Sequence, residues 1–315
     1  LKAAPGEGSL RIREIRIGLT IFLAIFTLAQ IIVSRSETGP GSKIKIVVSI
    51  FPLFEFARAV AGEAGEVSLL LPPGANVHTW QPRASDMIRL SKADLIISIG
   101  QGLEPWFGDI LKAGISPKTR LLTVIDSLSR TGELKAPPDK EDPHLWLDLE
   151  VDRAVMNLLA QTLGQIKPLE ASTFAGNAAL YNEKLKRLED LFTASLSRCR
   201  QRFFLVGGHA AFGYLAAKYK LEQISLFGLS PDAEARPSRL ADLISWAKKN
   251  SIRAVFKEAH AVDRMARVLA EEIGAELLDL HTGANLTKKE WTSGLTFLEI
   301  MEQNLVNLKK GLGCD

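Results

Sequence analysis

From Lys43 onward, short apolar runs alternate with stretches whose apolar residues recur at helical spacing. KIKIVVSIF, EVSLLLPPG, DLIISIG and RLLTVIDS predict four strands, separated by helices over PLFEFARAVAG, ASDMIRLSKA and EPWFGDILKAG. Strands this short and apolar, each followed by a helix, indicate parallel βαβ units. Over residues 151–200 no strand pattern occurs. Pro168 divides a helix of about four turns from a longer one, whose apolar positions include Leu180, Leu185, Leu188, Leu191 and Leu196. The alternation then resumes. RFFLVGG, LEQISLFG, IRAVFKE and AELLDL read as strands, AFGYLAAKYK, SRLADLISWAKKN and VDRMARVLAEEIG as helices, and KKEWTSGLTFLEIMEQNLVNLKKGL as one closing helix. The predicted fold is α/β. It has two α/β lobes with parallel sheets, over residues 43–167 and 201–315, joined by one long helix over residues 168–200.

The front of the chain follows a different pattern. An uncharged apolar run over residues 17–33 is preceded by Lys2, Arg11, Arg13 and Arg16, and followed by the polar RSETGPGS. A basic start, an apolar stretch and a small-residue site such as Thr27-Leu28-Ala29 make an export signal. The run is also just long enough to span a bilayer as a retained anchor. Residues 1–42 are therefore expected to be a signal peptide or membrane anchor with its linker, and the rest to be periplasmic or otherwise extracytoplasmic. No cysteine follows the run to take a lipid. Only Cys199 and Cys314 remain to pair in an oxidising compartment, and sequence does not show that they meet.

Composition adds little: 315 residues, 46% hydrophobic, 24% charged, net charge +3, most of it from the basic front. No basic run with interleaved aromatics follows, which argues against a nucleic-acid partner. The chemistry lies in the histidines. In open α/β sheets ligands bind beyond the carboxyl ends of strands. His78 follows VSLLL through the PPGAN turn, His209 follows FFLVGG, and Asp279 ends AELLDL. His144 sits in the acidic, Pro-stiffened EDPHLWLDLE, between Asp142 and Asp148. Taken singly, His78 also reads as a cap, His209 as a helix-start residue, His144 as a surface histidine and Asp279 as a loop acid. His260 in KEAHAVDR reads as a helix-entry residue. His281, two positions beyond Asp279, would share a strand face with it.

Taken together, these segments resemble the metal-binding solute-binding proteins of bacterial ABC transporters, in particular their zinc branch. LPPGANVHTWQPRASDMIRLSKADLIISIGQGLEPW resembles the segment of the first histidine, DPHLWLD the second and GGHAAFGYLA the third. GAELLDL is similar to the segment of the last ligand, and SPDAEARPSRLADL and AVFKEAH to the second-lobe signature. The resemblance runs from about Lys43 to near the C-terminus. It implies a metal site in the cleft between the lobes, with His78, His144, His209 and Asp279 as ligands, and Asp142 and Asp148 orienting His144 or its loop. It also implies Zn(II) as the bound, transported ligand, and a membrane permease with its cytoplasmic ATPase as partners of a monomer. Two departures stand out. SRTGELKAPPDKE is short and lacks histidine where relatives carry a histidine-rich loop, and LDLHTG replaces the usual Asp-Pro, which leaves His281 competing with Asp279.

Three imidazoles and a carboxylate suit tetrahedral zinc, whereas manganese prefers more oxygen. Imidazoles of ordinary pKa, ~6.5, would make binding fade below about pH 6. A catalytic zinc keeps an open position for water, which Asp279 as fourth ligand would fill. The chain also lacks HExxH, a G-x-S-x-G elbow and a P-loop, so binding is favoured over a zinc hydrolase. A manganese-binding protein or an adhesin on the same fold would share the same residues.

Overall fold

The computed structural model describes residues 42–112, 114–134, 139, 141–229, 237–259 and 264–314. The apolar run over residues 17–33 and His260 lie outside them. Residues Lys43–Asp315 form one compact unit. Its first sheet comprises β1 (Ile44–Val48), β2 (Gly65–Leu69), β3 (Leu95–Ser98) and β4 (Arg120–Thr123), all parallel, in the order β2-β1-β3-β4. Every residue of β3 is buried, as expected for a parallel strand covered on both faces. Four helices connect and cover the strands: α1 (Phe51–Ala61), α2 (Ala84–Ser91), α3 (Phe107–Lys112) and α4 (Val124–Thr131). The second half of RLLTVIDS was expected to be strand but belongs to α4. Val124, Ile125 and Leu128 bury one helical face there, and Gly132 closes the helix in the left-handed region.

α5 (Leu149–Ile166) and α6 (Ala171–Leu196) follow, separated by a single turn at Pro168–Glu170, and pack along each other. Of the five leucines that marked this helix in the sequence, Leu185, Leu188 and Leu196 are buried. Leu180 and Leu191 face solvent, and Phe174, Ala178 and Phe192 complete the buried stripe instead.

The second sheet repeats the first: β5 (Phe203–Val206), β6 (Glu222–Ser225), β7 (Ala254–Glu258) and β8 (Glu276–Leu280), parallel, in the order β6-β5-β7-β8. Its helices are α7 (Gly213–Lys218), α8 (Pro237–Lys249) and α9 (Arg264–Ile273). The closing segment, expected as one helix, is two: α10 (Lys288–Ser293) and α11 (Phe297–Leu312). Gly294, at φ +75°, ends the first, and a Thr296–Glu299 capping box opens the second.

α11 lies against the second sheet and also against α1 and α6, with Phe297 edge-on to Phe56 at 5.3 Å between ring centroids. The loop after β8 reaches the first lobe. Phe51 N–H donates to Ala284 O at 2.9 Å, Gly74 N–H to Leu286 O at 2.8 Å, and Asn285 Nδ2 to Pro72 O and Ala75 O, each at 2.8 Å. Cys199 and Cys314 form a disulfide between the end of the α5–α6 spine and the end of α11.

Candidate metal centre

Each candidate histidine is set by its own local device. The Asn76 side chain accepts from His78 N–H at 2.9 Å, and Trp106 Nε1 holds the same turn by donating to Val77 O at 2.7 Å. His144 opens the short turn Leu145–Leu147 ahead of α5. The buried Asp142 carboxylate accepts from its backbone N–H at 3.0 Å and pairs with ring Nδ1 at 2.8 Å. Asp148, expected to orient His144 or its loop, caps α5 just after that loop by accepting from Glu150 N–H at 2.9 Å. His209 follows β5. The Glu258 carboxylate at the end of β7 accepts from its N–H at 2.6 Å and pairs with its Nδ1 at 2.7 Å. The two glycines before His209 permit this approach through packing, and neither has a positive φ. A Cβ on Gly207 would overlap Ala266, and one on Gly208 would overlap the Glu258 carboxylate.

With Nδ1 of both rings engaged by carboxylates, Nε2 of His144 and Nε2 of His209 face each other at 3.3 Å. Two nitrogens bound at ~2.0–2.1 Å in a tetrahedron lie about 3.3–3.4 Å apart, so the pair already spans one tetrahedral edge. His78 completes the triangle, its ring centroid 5.6 Å from His144 and 5.5 Å from His209. One ligand atom from each of the three lies within 4.8 Å of the others. Burial, and then the neighbouring His144 and His209, push the His78 pKa down to about 3. Burial also lowers that of His144, against the opposing pull of Asp142. Both rings are thus kept neutral, the form that binds metal. They line a cavity of about 130 Å³ with His209, Trp146, Glu258, His281 and Thr282.

Asp279, expected as the fourth ligand, does not lie with these three histidines. It lies on β8 opposite Lys257, and its carboxylate, 58% exposed, pairs with that lysine at 2.5 Å. The expected shared face with His281 is lost because β8 ends at Leu280. His281 turns into the cavity, with its backbone N–H and C=O both bonded to the Asn304 side chain at 2.8 Å. Its Nδ1 accepts from Gly283 N–H at 2.8 Å, which leaves the proton of the neutral ring on Nε2, 3.9 Å from Glu290. In this orientation it offers no lone pair to an ion. Sequence reading missed Glu258 as the partner of His209; its signal was an acid at the carboxyl end of a central strand.

Residues 46–311 match the family model for ZnuA, the periplasmic component A of a zinc-uptake complex. The chain belongs to the ZnuA family. It is 31% identical over 307 residues to the zinc-binding protein AdcA of Streptococcus pyogenes serotype M18, covering 91% of this chain and 59% of that protein. The chain thus spans somewhat over half the length of that relative. The high-affinity zinc uptake system protein ZnuA of Bacillus subtilis is 31% identical over 311 residues, covering 94% of this chain and 97% of its own length. Among solved structures, the Zn(II)-bound ZnuA-like domain of Streptococcus pneumoniae AdcA superposes with a TM-score of 0.74 at 32% identity, over 86% of this chain and 99% of that domain.

Proposed function

We propose that this chain is an extracytoplasmic zinc-binding protein, which captures Zn(II) between its lobes through His78, His144 and His209. It then delivers the ion to a membrane permease driven by a cytoplasmic ATPase. The observation that carries this reading is the tetrahedral edge between two buried Nε2 atoms from different lobes, each ring backed by a carboxylate. Carboxylates on the outer nitrogens raise ligand basicity and fix the ring orientation. Three imidazoles favour zinc over manganese. Family membership and the names of the relatives support the same metal.

Because Asp279 lies elsewhere, a filled shell no longer argues against hydrolysis. Family membership does, since the matched model describes the periplasmic component of a zinc-uptake complex.

Competition with a chromogenic chelator tests the proposal. One zinc per chain, held far more tightly than manganese, is the expected result. A stoichiometry near zero, or a preference for manganese, would overturn it.

A further inference from the structure

The two halves of the site are joined by contacts of two different chemistries. One set is neutral: Trp146 Nε1 donates to Thr282 O at 2.7 Å, and Asn285 bonds to the first-lobe turn. The other set is ionic and runs through Lys218. This residue ends α7, the short helix that follows His209. Its ammonium pairs with Glu150 in the first turn of α5, with Glu189 of α6 at 2.7 Å, and lies 3.9 Å from Asp148, the cap of α5. Glu189 is shared with Arg153 of α5.

The Lys218 side chain is only 18% exposed and that of Glu189 only 11%. Pairs this sheltered are less screened than surface ion pairs. Burial alone would raise the Glu189 pKa, yet the bonds from Lys218 and Arg153 outweigh it and hold the carboxyl below its usual range. The segment fixed at one end by Lys218 begins at His144, and α7 packs on the turn between them. Lys218 therefore links the piece of chain carrying His144 to the piece carrying His209.

We propose that Lys218 is a positioning residue for the metal site. By tying α7 to the start of α5 and to α6, it holds His144 and His209 at ligating separation and slows the departure of a bound divalent ion. This rests on the reading that the three histidines bind zinc.

The test is the rate of zinc release into excess chelator from the full chain, for the native protein, Lys218→Met, Lys218→Arg and Glu150→Gln. Lys218→Met is expected to keep one zinc per chain but release it at least about tenfold faster, the scale of losing an outer partner of a metal ligand. Lys218→Arg should return the rate to within about threefold of native, and Glu150→Gln should fall between. Leu269→Ala, in the second-lobe core and not among the residues lining the cavity, serves as the control for general destabilisation. Release from Lys218→Met at the native rate would overturn the proposal. So would equal acceleration by Met and Arg, or by Leu269→Ala at a matched loss of melting temperature. If Lys218→Met does not fold, native-rate release from Glu150→Gln overturns it equally. A native chain that takes up no zinc would instead defeat the parent reading.

Discussion

The two lobes use one device for two purposes. In each, a glutamate at or just beyond the third strand reaches back to the turn after the first strand. In the first lobe it is Glu104, which accepts from Ser49 Oγ at 2.5 Å, Ile99 N–H at 2.9 Å and Gly100 N–H at 3.0 Å. In the second it is Glu258, which accepts from both the backbone and the ring of His209. Glu104 is wholly buried and satisfies groups that would otherwise be orphaned where two strands end. Glu258 borders the cavity and supports an imidazole. What differs is the residue on the first turn: a serine makes the carboxylate a structural clasp, and a histidine makes it part of a site.

Substituting the two glutamates separates these roles. Glu258→Ala should give the largest change in binding, a loss of about ten- to a hundredfold in zinc affinity, because His209 loses the acceptor that orients it. Glu104→Ala should leave affinity within about threefold but lower the stability of the metal-free protein by about 2–4 kcal/mol in urea unfolding, since two N–H groups and a hydroxyl lose their acceptor. If Glu104→Ala weakened zinc as much as Glu258→Ala, the contrast between the lobes would fail.

Titration sharpens the contrast further. His78, with a folded pKa of about 3 set first by burial, binds fewer protons folded than unfolded. Its contribution to stability is complete above the unfolded value of ~6.5 and is lost as pH falls toward about 3. Burial raises the pKa of Glu104, so its contribution has the opposite sign and is lost as pH rises through the raised value. Lowering the pH from 7.5 to 5 is therefore expected to cost the metal-free native protein more melting temperature than it costs His78→Gln. Zinc should persist below the pH of about 6 expected for ordinary imidazoles, because protons compete poorly for His78 and His144. An unchanged difference in His78→Gln would remove His78 from the account.

The smallest effect is expected at the exit of β8. Asp279→Ala should change zinc affinity by no more than about threefold, since its carboxylate is committed to Lys257 at the surface. A tenfold loss in chelator competition would show that the loaded shell recruits it after all.

The same exit marks where sequence reading stops. The alternation of apolar runs with helical periods carried the topology, because parallel strands buried on both faces leave an uninterrupted apolar signature. His78, His144 and His209 were legible because each follows a strand or opens a turn within a distinctive segment. Asp279 was expected from the segment resemblance, and the shared face with His281 from a parity that took β8 past Leu280, where the strand ends. Side-chain direction there depends on where the strand ends, and Asn304, more than twenty positions away on α11, bonds His281 where it leaves the sheet. Glu258 was missed for a related reason: its partnership with His209 exists only once β5 and β7 lie side by side. The break of the last helix at Gly294 was readable from Gly-Leu-Thr followed by Glu299, a stop and a capping box in succession.

The most direct test of the central claim is a crystal structure of the zinc-loaded protein with anomalous data collected at the zinc edge. The account predicts one strong peak about 2.0–2.1 Å from Nε2 of His144, Nε2 of His209 and a ring nitrogen of His78, with Asp279 still paired to Lys257. A peak coordinated by Asp279, or one that leaves any of the three histidines unbound, would contradict it.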